Sequence, residues 1–227
     1  MSETLQLIVV LVPALIIAIV FHEVAHGWVA LALGDPTAKE QKRLTLNPIR
    51  HVDAVGTLLV PGFLAVVGGP IFGWAKPVPV RKDRLDNPRF GMMAVAAAGP
   101  GTNFLLAAIG AILLGLFAPQ LTPEAGMQPG LVAQGLFYFI LINIFLAIFN
   151  LLPIPPFDGS HIVEGAMPRR WVHIYEKLRP FGMLLFVGLI AVTWFAPDLG
   201  VLENTVGVPV NWALEKYLAL ASAVAGE

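Results

Sequence analysis

The sequence has no cysteine, which excludes disulfides, thiolate-bound zinc and iron–sulfur clusters. Charge is also scarce. Only 13% of the 227 residues are Asp, Glu, Lys or Arg, against roughly 25% in soluble domains. So little charge excludes an ordinary water-soluble globule. Hydrophobic types make up 57%, which excludes disorder, a state that needs low hydrophobicity and high charge. A net charge of −1 leaves no basic footprint for nucleic acid. The expectation is an all-α polytopic membrane protein of one domain, 1–227, in which any metal is held by histidines and carboxylates.

About 20 apolar residues cross a bilayer. Residues 5–33 are apolar except for Gln6, His22, Glu23 and His26, and residues 91–118, 131–152 and 181–197 carry no charge. The first stretch lacks a basic leader and a small-residue cleavage site, so it reads as a span and not as a signal peptide. A fifth charge-free stretch, 54–75, contains five glycines (56, 62, 68, 69 and 73) and the prolines Pro61 and Pro70. Backbone that broken is tolerated at membrane depth only inside protein or beside a cavity. It is either a poor fifth span or a re-entrant segment.

Basic residues collect on the cytoplasmic side of membrane proteins. Segment 34–53 carries Lys39, Lys42, Arg43 and Arg50. Segment 76–90 carries Lys76, Arg81, Lys82, Arg84 and Arg89. Segment 153–180 carries Arg169, Arg170, Lys177 and Arg179, and the tail carries only Lys216. If 54–75 re-enters, all of the 14 basic residues but Lys216 share one face. If it crosses, the split is nine to five. The re-entrant reading is therefore preferred, with the element running over 54–80. It places four spans in the cell membrane, both termini outside, and the basic loops and active site toward the cytoplasm. Pro77-Val78-Pro79-Val80 predicts a short strand or hairpin. Residues 211–224, with Trp212 and Tyr217, predict an interfacial helix in the tail 198–227.

His22-Glu23-Val24-Ala25-His26 has the H-E-x-x-H spacing. On a helix, positions i and i+4 share a face, so His22 and His26 can reach one metal ion. Glu23 lies about 60° around the helix from His26, beside the metal, where it can act as general base on a zinc-bound water. Glu23 is also the only charged residue in 5–33, and a charge at membrane depth is costly enough to be functional by default. A catalytic zinc takes three protein ligands. His51, His161, His173 and several carboxylates are candidates for the third. Asp158 stands out because it follows a span ending on the same face as the first one, and so can meet His26 at one depth. On its own, Asp158 also reads as a plain helix N-cap. His161 reads as a surface or capping residue, with a supporting hydrogen bond to the metal site as the less favoured alternative. His51 and His173 read as solvated. Gly99, Gly101, Gly110 and Gly115 suit close helix packing.

The His22–His26 motif, Gly99-Pro100-Gly101-Thr102-Asn103 and Asn150-Leu151-Leu152-Pro153-Ile154-Pro155-Pro156-Phe157-Asp158-Gly159, in that order, resemble the site-2 protease family of intramembrane zinc metalloproteases, peptidase family M50. Gly73-Trp74-Ala75-Lys76-Pro77-Val78-Pro79-Val80 resembles its compact prokaryotic branch. The resemblance covers roughly residues 5–197. It implies Zn2+ held by His22, His26 and Asp158, with Glu23 as general base. It further implies that Asn150 steadies the oxyanion, that Asn103 positions substrate, and that the glycine-rich segment lies near the active site. The implied partners are the lipid bilayer and a membrane-protein or transmembrane-peptide substrate. Segment 119–130 is too short for a PDZ domain, and the tail is too short for a CBS pair. Two rival readings are a metal or proton transporter using His22, Glu23 and His26, and an inactive scaffold.

Overall fold

The computed structural model describes residues 3–67, 73–121 and 130–226. In chain order it forms α1 (Glu3–Ala32), α2 (Thr37–Glu40), a 3-10 turn (Pro48–His51), a π-helical segment (Ala54–Leu59) and α3 (Val60–Val67). There follow α4 (Pro88–Leu121), α5 (Leu131–Asn150), α6 (Asp158–Ala166), α7 (Arg169–Leu178), α8 (Gly182–Phe195) and α9 (Val208–Ala225). Four helical stretches are long and apolar enough to cross a membrane: Leu5–Ala32, Pro88–Phe117, Leu131–Asn150 and Arg169–Phe195. Three of them match the expected spans closely. The fourth begins earlier than 181, because α8 alone has 14 residues and reaches spanning length only with the helical turns before it.

Contacts divide the chain into two compact units, and α1 and α4 each contribute to both. The first unit comprises residues 1–18, 100–151 and 201–227. Its helices approach closely at glycines. A methyl on Gly110 would lie 3.0 Å from Ile140 and Phe139, and one on Gly115 would lie 2.3 Å from the Ala221 carbonyl. Gly101 has open space around it, so the packing role expected of it is not seen. The tail helix α9 packs along α5. Its Tyr217 hydroxyl donates to the Phe104 carbonyl at 3.1 Å, while Trp212 stays exposed.

The second unit comprises residues 19–99 and 152–200. Here the chain leaves α1 through a turn at Gly34, whose φ of +98° is left-handed and suits glycine. Ala30, Leu85 and Val95 form a buried core, with Val29, Leu33, Val80 and Met92 packed against it. Segment 73–81 returns along 51–57. Lys76 N–H donates to the His51 carbonyl, Trp74 N–H to the Gly56 carbonyl, and the Thr57 hydroxyl to the Trp74 carbonyl.

Among the described residues there is no strand, so the strand or hairpin expected at 77–80 is not formed. The reason lies in the hydrogen bonds. Pro77 and Pro79 have no N–H to offer a ladder, and the amides around them bind separate partners. Val78 N–H donates to Glu23 Oε2 at 2.7 Å, and Arg81 N–H donates to Asp35 Oδ2 at 2.6 Å. The segment is a strap tied across the C-terminal half of α1. Residues 68–72, part of the expected re-entrant element, lie outside the described residues.

Candidate metal centre

His22 and His26 are buried on α1, one turn apart, with ring centroids 4.6 Å apart and planes 85° to each other. Asp158 is the first residue of α6, after Phe157 in extended conformation, and no side chain caps the helix. The plain N-cap reading therefore fails, since the carboxylate points elsewhere. Its Oδ2 lies 3.1 Å from His22 Nε2 and 3.3 Å from His26 Nε2.

These distances suit a shared cation. A tetrahedral site with metal–ligand bonds of ~2.0–2.1 Å has edges of ~3.3 Å. The protonation pattern agrees. His26 Nδ1 lies 2.7 Å from the Val95 carbonyl. A carbonyl only accepts, so Nδ1 carries a proton, which leaves Nε2 to take either a metal ion or a second proton. Nε2 faces Asp158 Oδ2 at 3.3 Å, a buried oxygen with no hydrogen-bond partner. An imidazole nitrogen and a carboxylate oxygen held this close share a positive charge, carried by a proton or by a metal ion. The carbonyl contact also fixes the imidazole orientation, as is usual for metal-binding histidines. The three donor atoms fall within 4.8 Å of one another. The donor set of two imidazoles and one carboxylate therefore fits a divalent metal.

Gly99 completes the centre. A Cβ there would sit 2.5 Å from His26 Nε2 and 2.6 Å from His22 Nε2. Its expected role was helix packing, but the neighbours that forbid a side chain are the two imidazoles. Glu23 is half-buried beside the triad, with Oε2 held by the Val78 amide.

α6 is held in place along its length. Phe157 packs edge-on against Phe186 of α8, with centroids 5.6 Å apart. Glu164 is buried and accepts from Lys82 Nζ at 2.7 Å and from Arg179. Arg89 binds the carbonyls of Gly165 and Met167 at the far end. His161 Nδ1 lies 3.3 Å from an Arg179 nitrogen. Burial and then the Arg179 charge push its imidazole down from the ordinary range.

Other residues fall elsewhere. His51 is buried, not solvated, with Nε2 2.8 Å from the Thr45 carbonyl. His173 is exposed, as expected. Asn103 and Asn150 belong to the first unit. Asn103 is fully buried and donates to the Ala18 carbonyl and to Asn143 Oδ1. Asn150 donates to the Leu146 carbonyl, one turn back.

Sequence reasoning missed Asn143, Asp35, Gly99 as a wall of the centre, and the strap. Asp35 is fully buried and accepts from Thr37 and Arg81. Burial pushes its carboxyl up, but these hydrogen bonds outweigh it and hold the group below the ordinary range. An acid directly after the span-ending Gly34 was the available signal.

The family model for peptidase family M50 matches residues 118–192. YwhC of Bacillus subtilis, whose name assigns it to the zinc metalloproteases, is 41% identical over 82% of this chain and 81% of its own length. Two proteins with the same assignment are more distant. Rip2 of Mycolicibacterium smegmatis is 23% identical over 80% of this chain and 66% of its own. MJ0611 of Methanocaldococcus jannaschii is 36% identical over 64% of each chain. No solved structure gives a significant match. With a relative this similar over most of both chains, and donors converging at the H-E-x-x-H helix, the chain belongs to peptidase family M50 and is a metalloprotease.

Proposed function

We propose that the chain is a site-2-type intramembrane zinc metalloprotease, hydrolysing peptide bonds of membrane-embedded substrates with Glu23 as general base. The observation that carries this is the convergence of His22 Nε2, His26 Nε2 and Asp158 Oδ2 beside Glu23. Those three residues would hold the ion. Imidazole and carboxylate also suit iron, cobalt or manganese, and the names of the relatives favour zinc. When bound, zinc supplies Lewis acidity toward water and a carbonyl oxygen.

Glu23 takes a proton from the attacking water and returns it to the leaving amine. The Val78 amide orients its carboxylate through Oε2, which leaves Oε1 for proton transfer. Asn150 is assigned to the oxyanion, after its amide turns from the Leu146 carbonyl. Asn103 acts as a positioning residue by tying Ala18 of α1 to Asn143 of α5.

The return of 73–76 onto 51–57 supports the re-entrant reading of 54–80. The basic segments support a cytoplasmic active-site face, with both termini outside the cell membrane. The transporter alternative lacks support. The relatives are named metalloproteases, and stretches 91–118, 131–152 and 181–197 have no charged side chain to line a path.

The test is Glu23→Gln in the purified full chain, assayed on a transmembrane peptide. Cleavage is expected to fall by ~10²–10⁴-fold, while metal content stays at the wild-type value. Undiminished cleavage by a metal-loaded Glu23→Gln preparation rejects the assignment of the base.

A further inference from the structure

A cavity of about 440 Å³ lies in the second unit, lined by Gln41, Arg43, Ile49, Arg50, Val52 and Lys76. Three of the six residues are cations and none is an acid. Among the described residues, no carboxylate forms an ion pair with Arg43, Arg50 or Lys76. The two nearest acids in the sequence are engaged elsewhere: Glu40 pairs with Arg84 at 2.9 Å, and Asp53 accepts from the Val55 and Gly56 amides.

Arg43 is the unusual member. It is only 7% exposed. One terminal nitrogen donates to the Lys76 carbonyl at 2.8 Å, and its buried Nε has no partner. A buried guanidinium is unfavourable without an opposite charge. Two further cations at the same cavity add to the repulsion. The missing component is an anion.

We infer that this cavity binds the phosphate of an anionic amphiphile, a lipid headgroup in the natural setting. Arg43, Arg50 and Lys76 supply the charge, and guanidinium geometry matches phosphate. The remaining wall points to an amphiphile rather than a bare anion. Ile49 and Val52 line the cavity, Ile49 is 76% exposed, and Leu46 and Val55, a few residues away in the sequence, are exposed too. Cations beside exposed aliphatic side chains suit a headgroup whose acyl chains lie on the neighbouring surface. The site is separate from the metal triad, and the inference does not depend on the protease reading.

The test uses the full chain, delipidated in neutral detergent. Native mass spectrometry follows titration with phosphatidylglycerol or phosphatidylcholine. A parallel arm measures the thermal midpoint in inorganic phosphate against chloride at equal ionic strength. The expected result is one retained phosphatidylglycerol, with phosphatidylcholine not retained. Arg43→Gln should weaken retention about tenfold, which corresponds to about 1.4 kcal/mol.

Because Arg43 also ties the strap, the double variant R50Q/K76Q is run beside it. Both of those side chains are exposed, so its fold is not at stake. The control R169Q/R170Q removes the same charge from α7 and should bind as wild type does. Equal loss in the control, unchanged retention in R50Q/K76Q, or no binding of either phosphate source by wild type overturns the site. A thermal shift with inorganic phosphate that R50Q/K76Q abolishes, without lipid retention, upholds the anion site and overturns the amphiphile.

Discussion

The two units bury polar groups in opposite ways. In the first, the buried polar side chains among the described residues are the amides Asn103 and Asn143. They are neutral and bonded to each other and to helix carbonyls. In the second, the buried set includes His22, His26, Asp35, Arg43, His51 and Glu164. Amides in apolar surroundings, once satisfied, hold helices in register at little cost. Buried ionisable groups are costly unless paired or bound to a metal. A protein tolerates that cost where the charge performs chemistry. The first unit buries neutral amides, and the second buries groups that can carry charge.

Removing a metal ligand is the largest break in this contrast. Asp158→Ala should lower metal content from about one ion per chain to near zero, measured by plasma mass spectrometry, because a three-ligand site does not survive on two histidines. Full metal retention would exclude Asp158 as a ligand. Gly99→Ala is subtler, since no donor is removed. Its methyl would push on both Nε2 atoms. Metal affinity, read by chelator competition, should fall ~10–100-fold, as for other disturbed ligand supports. Affinity within twofold of wild type would mean that the centre has room that the structure denies it.

The amide half of the comparison is sharpened by Asn143→Ala. It leaves Asn103 short of one acceptor and should cost about 1–3 kcal/mol in unfolding free energy, with metal affinity unchanged. A loss of metal with intact stability would erase the distinction between the units.

The smallest expected effect is at Glu164. Burial pushes its carboxyl up, but Lys82 and Arg179 outweigh that and hold it below the ordinary range. A lowered folded-state value means that the ion pair stabilises above the unfolded value of about 4.3, with the benefit lost as pH falls through the folded one. Both basic partners are well exposed to solvent, so Glu164→Gln should cost only about 1 kcal/mol near neutrality. The gap from wild type should close as the pH is lowered below 4. A gap that persisted in acid would show that packing, not charge, holds that end of α6.

Much of the site was legible because its chemistry sits in side chains at fixed spacing. His22 and His26 had to share a face, and Asp158, expected to meet them, has its donor atom within 4.8 Å of theirs. The four apolar spans followed from composition. What escaped was what acts without a distinctive side chain. Gly99 matters for an atom it lacks. Val78 holds Glu23 through a backbone amide that any residue except proline carries. The strand expected at 77–80 failed for the related reason that alternating prolines leave too few donors. His51 was misread as solvated because a lone histidine in a basic segment gives no sign that its ring binds the carbonyl of Thr45.

The two donor segments of the centre lie on α1 and at the start of α6, with more than half of the chain between them. This separation has a bearing on biosynthesis. A ribosome releases the histidine helix into the membrane long before the aspartate has been translated. Throughout that interval the nascent chain would hold two of the three proposed ligands and lack the third. Order of synthesis alone would keep the proposed centre incomplete until α6 has been made.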